Sequence, residues 1–107
     1  MSKFNLPLIY AVDFDGTLCE DKYPEIGEPR PLIIEQIKHY QEQGIRTILW
    51  TCRTDEYLEA AVKWCEEHGL KFDEVNTNIP EVKALFGGDT RKVFADRYFD
   101  DKNILVM

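Results

Sequence analysis

A buried strand that ends in an acidic glycine turn is encoded by residues 8–17, Leu-Ile-Tyr-Ala-Val-Asp-Phe-Asp-Gly-Thr. Residues 8–12 are short and continuously apolar, which is typical of a central strand in a parallel sheet covered on both faces. Asp13 and Asp15 follow where that strand ends, and Gly16 permits the turn. Carboxylates in such a place repel one another unless a cation or a chemical role compensates. This stretch therefore predicts a functional site at the end of the first strand.

Three further apolar runs predict strands in the same sheet. These runs are residues 45–50, residues 70–75 and residues 97–99. The run at 70–75 is weaker and more polar, which predicts a position nearer an edge of the sheet. Residues 104–107 add either an edge strand or a tail.

Two amphipathic helices are predicted between these strands. The first begins at Pro31, because proline suits the first helical position, and stops before Gly44, which suits a C-terminal cap. The second begins after Thr54, a favoured N-cap residue, and stops before Gly69. Both patterns place apolar residues on one face, as expected of helices that cover a sheet.

Strands that alternate with helices predict right-handed crossovers and a parallel sheet. Residues 76–88 are rich in turn formers and allow at most a short helix near residues 81–86. We therefore expect a three-layer α/β/α, Rossmann-like fold. At 107 residues, the chain has room for one domain, which we assign to residues 1–107.

Net charge, the length of the apolar runs and the number of cysteines indicate which partners and which cellular location to expect. The formal net charge is −7, so a strong, nonspecific hold on nucleic acid is not expected. Apolar runs are far shorter than the roughly 20 residues of a membrane span, and the N-terminal segment makes a poor signal peptide. Cys19, Cys52 and Cys65 are odd in number and have no paired spacing. This pattern favours reduced thiols and a cytoplasmic location.

Polar side chains follow three of the predicted strands. Because the carboxyl ends of parallel strands meet at one edge, we expect Asp13 and Asp15 to lie near Thr51 and near Asp100 and Asp101. Two carboxylates about 4 Å apart repel by about 4 kcal/mol at an effective dielectric of about 20. A hard divalent cation relieves that repulsion, and Mg²⁺ is the natural candidate. Alternatively, Asp100 and Asp101 lie in a solvated loop and do not approach the other carboxylates.

The other polar groups at this edge suit a phosphate ligand. The hydroxyl of Thr51 can hydrogen-bond a phosphate oxygen, and Gly16 permits a turn that directs backbone amides at an anion. Arg53 either forks onto the same phosphate or lies on the surface as a solvated cation. Lys92 and Lys83 compete as the lysine that would neutralise a phosphoryl group, and each is open to being a solvated lysine instead.

Taken in this order, the motifs resemble those of the haloacid dehalogenase-like (HAD) hydrolase superfamily, in its phosphatase branch. Its first motif is matched by residues 13–18, Asp-Phe-Asp-Gly-Thr-Leu, and its second by residues 48–51, Ile-Leu-Trp-Thr. Its third motif, a lysine, is best matched by Lys92. Its fourth, an acidic pair that closes a strand, is matched by residues 98–101, Tyr-Phe-Asp-Asp.

Two features refine the resemblance. The stretch between Lys92 and Asp100 is too short for the helix that many family members carry there, so Lys83 stays an alternative. Caps in this superfamily are inserted after the first motif or before the third, and residues 19–30 and 76–91 are too short to form one. The resemblance therefore implies a small, capless member with an open site.

The resemblance also implies a Mg²⁺-dependent phosphatase that hydrolyses a phosphomonoester through an aspartyl-phosphate. Asp13 would attack phosphorus, and Asp15 would protonate the leaving oxygen and then activate water. The implied metal ligands are the Asp13 carboxylate, the Asp15 backbone carbonyl and Asp100, with support from Asp101. The groups implied for the phosphoryl oxygens are Thr51, Lys92 and the backbone amides near Phe14 and Cys52.

Two other functions stay open. A receiver-like, phospho-accepting signalling module also uses an aspartate, Mg²⁺, a threonine and a lysine, but it does not need Asp15. A nucleic-acid end-processing phosphatase would suit an open site, although the net charge weakens it. The substrate is either a small phosphorylated metabolite or a phosphorylated macromolecule, and a homo-oligomer that shields the site stays open as well.

Overall fold

The structure, a computed structural model, describes residues 6–90, 92–100 and 104–106. In these residues five strands and three helices follow the order β1–α1–β2–α2–β3–α3–β4–β5. The strands are β1 (Ile9–Val12), β2 (Arg46–Leu49), β3 (Glu74–Val75), β4 (Arg97–Phe99) and β5 (Ile104–Val106). The helices are α1 (Pro31–Glu42), α2 (Asp55–Glu67) and α3 (Pro80–Phe86).

Strand β1 lies at the centre of the sheet, and all four of its residues are buried. The strand order is β3-β2-β1-β4-β5. Strand β1 pairs in parallel with β2 and β4, β2 pairs in parallel with β3, and β5 runs antiparallel to β4. The predicted α/β fold with a parallel sheet is thus confirmed. For the end of the chain, the edge-strand alternative is the one observed, over Ile104–Val106.

The alternation of side chains along β1 produces the three layers. Tyr10 and Val12 belong to a buried cluster that includes residues of α1 and α2. Ile9 and Ala11 belong to a second cluster, which includes Val82 of α3. Because successive residues of a strand point to opposite faces, the same strand packs against helices on both sides. This is the predicted three-layer α/β/α arrangement.

The predicted helices are confirmed, with small differences at their ends. Helix α3 begins at Pro80, one residue before the short helix expected near residues 81–86. Thr54 has the extended backbone of an N-cap residue before α2, but its side chain makes no capping hydrogen bond. None of the helices in the described part of the chain combines the length and the apolar character needed to cross a membrane.

Two aspartate side chains replace main-chain acceptors at the start of the sheet. The Thr47 N–H donates to Asp73 Oδ2 (2.8 Å), and the Asp73 N–H donates to the Thr47 carbonyl (2.9 Å). Across β1, the Ile9 N–H donates to Asp96 Oδ2 (2.8 Å), and the Asp96 N–H donates to the Ile9 carbonyl (2.7 Å). The regular strand pairing begins only after each carboxylate. Strand β3 therefore starts at Glu74, whereas the sequence predicted a start at residue 70.

A hydrogen-bonded network orders the loop between α3 and β4. The buried Asn78 donates through its side-chain nitrogen to Asp89 (2.7 Å) and Thr90 (2.8 Å), and its oxygen accepts the Phe94 N–H (2.6 Å). Thr77 donates to the other carboxylate oxygen of Asp89. The hydrogen bonds that Asp89 accepts, from Thr77 above all and also from Asn78 and the Thr90 N–H, lower its pKa from 3.8 to about 2.

We expect this network to make the stability of the fold fall in acid. Because folding lowers the pKa of Asp89, its stabilising contribution is complete above the unfolded-state value near 3.8 and is lost as the pH falls through about 2. Urea midpoints measured from pH 6 to pH 2 should therefore fall less steeply for Asp89→Asn than for the wild type. Glu59→Gln, an exposed position on α2, should keep the wild-type slope. Equal slopes for Asp89→Asn and the wild type would contradict this role.

Candidate functional site

The segments that follow β1, β2 and β4 contribute to one cavity. Its volume is about 440 Å³. The residues that line it are Asp13, Asp15, Asp21, Tyr23, Thr51, Cys52, Arg53 and Asp100. All of these except Asp21 and Tyr23 were expected at the site from the sequence. The carboxyl ends of the parallel strands thus bring together side chains that are distant along the chain, as the fold predicts.

Asp13 follows β1 directly and is half-buried. Its N–H donates to the Phe99 carbonyl (2.8 Å), which extends the pairing of β1 with β4 by one residue. Its Oδ1 accepts the Phe14 N–H (2.8 Å). The first bond holds the backbone of Asp13 beside β4, and the second orients its carboxylate. The Phe14 amide, expected near a phosphoryl oxygen, is engaged by Asp13 itself in this structure.

The turn after Asp15 depends on Gly16, whose φ is +85°. This left-handed conformation is strained for residues with a side chain. The Gly16 N–H donates to the Cys19 carbonyl (2.9 Å), and the Leu18 N–H donates to the Phe14 carbonyl (3.0 Å). The Gly16 amide therefore closes the turn, and the expectation that this turn directs other backbone amides at an anion stays a prediction. Gly16 instead lines a neighbouring cavity, which shares Asp100 with the first.

Thr51 lies just beyond the end of β2 and is held there by Asn76. The Thr51 N–H donates to Asn76 Oδ1 (2.7 Å), and Thr51 Oγ1 accepts the Arg53 N–H (3.2 Å). A hydroxyl that accepts one hydrogen bond keeps its own proton for donation, so Thr51 retains the expected capacity to bind a phosphoryl oxygen. Asn76, at φ +56°, was not predicted from the sequence. The sequence feature that could have indicated it is an asparagine directly after a strand, because asparagine tolerates this left-handed conformation.

Arg53 is only 2% exposed, and its guanidinium is bonded on every side. Its Nε and Nη2 donate to the two carboxylate oxygens of Asp15, each at 2.8 Å. The other N–H groups donate to the carbonyls of Pro24 (3.2 Å), Glu25 (2.9 Å) and Tyr57 (3.4 Å). All five guanidinium donors thus have protein acceptors. The structure therefore gives Arg53 a role different from both expected alternatives, a phosphate contact and a solvated surface cation.

The ion pair sets the position of Asp15. Two parallel hydrogen bonds fix the plane of its carboxylate, which is 16% exposed. The same contact raises the pKa of Arg53 above its usual value, chiefly through the hydrogen bond with Asp15. The repulsion expected between Asp13 and Asp15 is thus relieved in part by a guanidinium. Each carboxylate oxygen has two lone pairs, so this pairing leaves Asp15 with capacity for a proton.

The oxygen donors of the cavity fit Mg²⁺ in type. Asp13 and Asp100 contribute carboxylates to the cavity, whereas both side-chain oxygens of Asp15 face Arg53. No group of three or more His, Cys, Asp or Glu residues in the described ranges is placed to hold a metal. Mg²⁺ is commonly held by one or two carboxylates together with water and substrate phosphate. Asp101, expected to support the ion, lies outside the described residues.

The predicted lysine is not among the residues that line the cavity. Lys92 is exposed, and its Nζ lies 4.8 Å from the centroid of the Tyr98 ring. Lys83, the alternative, lies on α3. The choice between the two lysines therefore stays a prediction.

An aromatic side chain that the sequence argument missed forms part of the cavity wall. The Tyr23 ring centroid lies 5.0 Å from Arg53 Cζ and 5.8 Å from the Tyr57 centroid. Arg53 Cζ is also 5.1 Å from the Phe14 centroid. Tyr23 belongs to the segment 19–30 that follows the acidic motif, and an aromatic residue in that turn-rich segment was the available signal.

Comparison with known proteins identifies a similar solved structure. No protein-family model matches the chain, and no curated protein matches it. Among solved structures, a conserved protein from Bacteroides thetaiotaomicron is 42% identical over 92% of this chain and 78% of its own. The two structures superpose with a TM-score of 0.80.

Proposed function

The chain belongs to the family of this conserved Bacteroides thetaiotaomicron protein, and we propose that it is a Mg²⁺-dependent phosphatase of the HAD superfamily. Its reaction is the hydrolysis of a phosphomonoester through an aspartyl-phosphate. The observation that supports this proposal best is the meeting of Asp13, Asp15, Thr51 and Asp100 in one cavity at the carboxyl ends of the strands. A nucleophile, an acid/base, a hydroxyl donor and a second carboxylate are the groups that such a reaction needs.

In the proposed first step, a carboxylate oxygen of Asp13 forms a bond to phosphorus, and the bond from phosphorus to the ester oxygen breaks. Asp15 enters this step protonated, on a lone pair that the Arg53 pairing leaves free, and gives that proton to the leaving oxygen. In the second step, a water oxygen forms a bond to phosphorus while one of its protons passes to Asp15. The bond from phosphorus to the Asp13 oxygen breaks, so the Asp13 carboxylate is restored and phosphate is released. The path through a covalent intermediate divides one difficult displacement into two easier ones.

The other groups of the cavity orient the phosphoryl group. Thr51 donates its hydroxyl to a phosphoryl oxygen, and the backbone amide of Cys52, a residue that lines the same cavity, is a second candidate donor. Asp13 and Asp100, with the backbone carbonyl of Asp15, are the groups that would hold Mg²⁺. When bound there, the ion supplies positive charge that offsets the charge of the phosphoryl oxygens. Hydrogen-bond donors held in fixed positions, such as the Thr51 hydroxyl, stabilise the charge on the phosphoryl oxygens most strongly in a partly desolvated site.

We expect the purified protein to hydrolyse p-nitrophenyl phosphate in the presence of Mg²⁺ and to stop when EDTA is added. Four acids among the described residues line the cavity, and Arg53 pairs with one of them, Asp15, so without a further cation the other three repel the phosphate dianion. Release of p-nitrophenol would be followed before chelation, after chelation and after excess Mg²⁺ is restored. Turnover that survives EDTA would remove the metal from the proposal. A protein that hydrolyses no phosphomonoester in a broad panel would contradict the proposed reaction.

Lys92 does not line the cavity, but the resemblance makes it the lysine of the third motif. On that basis we expect Lys92→Ala to lower kcat by about 100-fold, as loss of one donor to developing charge commonly does. Lys83→Ala, the matched control on α3, should stay within about twofold of the wild type. Both would be measured with the same aryl phosphate, and urea unfolding would show that each variant is folded. A large loss of kcat in Lys83→Ala, with none in Lys92→Ala, would identify Lys83 as the lysine of the third motif.

A further inference from the structure

Tyr23 is an exposed aromatic residue that the fold nevertheless holds in place. Its side chain is 55% exposed and lines the cavity that contains Asp13 and Asp15. The ring is supported by Arg53, at 5.0 Å from the guanidinium carbon, and by Tyr57, at 5.8 Å between centroids. Cation–π and aromatic contacts of this kind favour one ring position over free rotation in solvent.

One guanidinium joins this ring to Asp15. Arg53 donates to both oxygens of Asp15 and also to the carbonyls of Pro24 and Glu25, the two residues directly after Tyr23. The ring itself lies on the same guanidinium. A shift of Arg53 would therefore move the carboxylate and the loop together.

We infer that Tyr23 is the wall against which the leaving group packs, and that Arg53 is the positioning residue that sets this wall relative to Asp15. The inference rests on the proposed function: Asp15 protonates the leaving oxygen, so the leaving group lies beside Asp15 and therefore beside Tyr23. An exposed ring accommodates a flat, apolar face. The substrate class is a phosphomonoester whose leaving group carries an aromatic or similarly flat group.

The charges that line the cavity narrow this class further. Asp21, which accepts the Tyr23 N–H at 3.4 Å, adds another carboxylate beside the ring. Arg53 is the cation among the described residues that line the cavity, and all of its N–H donors already hydrogen-bond to protein acceptors. A leaving group with further phosphates would meet these carboxylates, and Arg53 has no donor left for it. We therefore expect the leaving group to be neutral or cationic.

The role of Tyr23 as a wall is tested with two phosphomonoesters that lack an activated leaving group. Phenyl phosphate has a flat aromatic leaving group, whereas glycerol 2-phosphate has no ring. Tyr23→Ala should lower the ratio of their kcat/KM values, phenyl over glycerol, by about fivefold to tenfold. Tyr23→Phe keeps the ring and should keep the wild-type ratio. Phe86→Ala removes an exposed ring on α3 and serves as the matched control. An unchanged ratio in Tyr23→Ala would overturn the inference.

The positioning role is tested with phenyl phosphate and p-nitrophenyl phosphate, which share the ring but differ in their need for a proton. Arg53→Lys should lower kcat/KM for phenyl phosphate at least about tenfold more than for p-nitrophenyl phosphate, since the activated leaving group departs without Asp15. Equal losses would show a merely structural role.

A second measurement does not require any Arg53 variant to fold. If the guanidinium links the two groups, Asp15→Asn should move the NMR signals of the Tyr23 ring, whereas Asp55→Asn, an exposed site at the start of α2, should not. Unmoved ring signals in Asp15→Asn would overturn the link. A wild type that hydrolyses phosphomonoesters while the Tyr23 ratio stays unchanged would refute this inference alone. A wild type without such activity would refute the proposed function.

Discussion

Replacing Asp13 by asparagine should abolish phosphatase turnover, with a loss of at least about 10³-fold in kcat. An amide oxygen is a far weaker nucleophile than a carboxylate, so the aspartyl-phosphate would not form. The fold should be kept, because asparagine can still accept the Phe14 N–H that Asp13 Oδ1 accepts at 2.8 Å. The assay is release of p-nitrophenol with Mg²⁺ present, together with urea unfolding of the same preparation.

The matched control for this substitution is Asp55→Asn. Asp55 has a φ of +51° at the start of α2, a conformation that asparagine also tolerates, and it does not line the cavity. Its kcat should stay within about twofold of the wild type. Substantial turnover by Asp13→Asn would remove Asp13 as the nucleophile. A wild type that forms a long-lived phospho-aspartate without turnover would instead support the receiver-like alternative.

Replacing Arg53 by methionine should destabilise the fold by about 3–5 kcal/mol, the range for removal of one partner from a buried ion pair. Methionine retains most of the volume of the side chain but none of the five donors that satisfy Asp15 and three backbone carbonyls. The mostly buried Asp15 carboxylate would lose the charge that compensates it. Urea unfolding of both proteins gives the difference in the free energy of unfolding.

A double-mutant cycle separates the ion pair from the packing of Arg53. Asp15→Asn removes the negative charge, so the double variant should be more stable than the sum of the two single effects predicts. Arg46→Met is the matched control, because Arg46 pairs with the exposed Glu81 at 2.8 Å and such surface pairs contribute less than about 1 kcal/mol. A coupling near zero between positions 15 and 53 would contradict the role of the pair.

Local patterns predicted the frame of the protein well. The apolar run before Asp13 identified the central strand, and Pro31 and Gly44 bracketed α1 close to its observed ends. These features depend on neighbours in the chain and on the period of the side chains, both of which are visible in a sequence. The meeting of Asp13, Thr51 and Asp100 in one cavity followed from the rule for parallel sheets.

The partners of individual polar groups were harder to predict, because they depend on contacts across the fold. The sequence shows that Arg53 is a cation near the site, but not that its acceptors lie 29 and 38 positions away, at Pro24 and Asp15. The same limit applies to Asp73 and Asp96, whose carboxylates replace main-chain acceptors and shift where the strands begin. Periodicity indicates which face a residue occupies, but not which donor it meets there.

The way Arg53 holds the loop has a consequence for how this family can diversify. Arg53 binds residues 24, 25 and 57 through their carbonyl oxygens, which every amino acid possesses. Substitutions of the side chains at those positions therefore leave the acceptors in place, whereas a change at Arg53 or Asp15 breaks the arrangement for every sequence of the loop. The side chains of residues 19–30 can thus vary without disturbing the orientation of the Asp15 carboxylate.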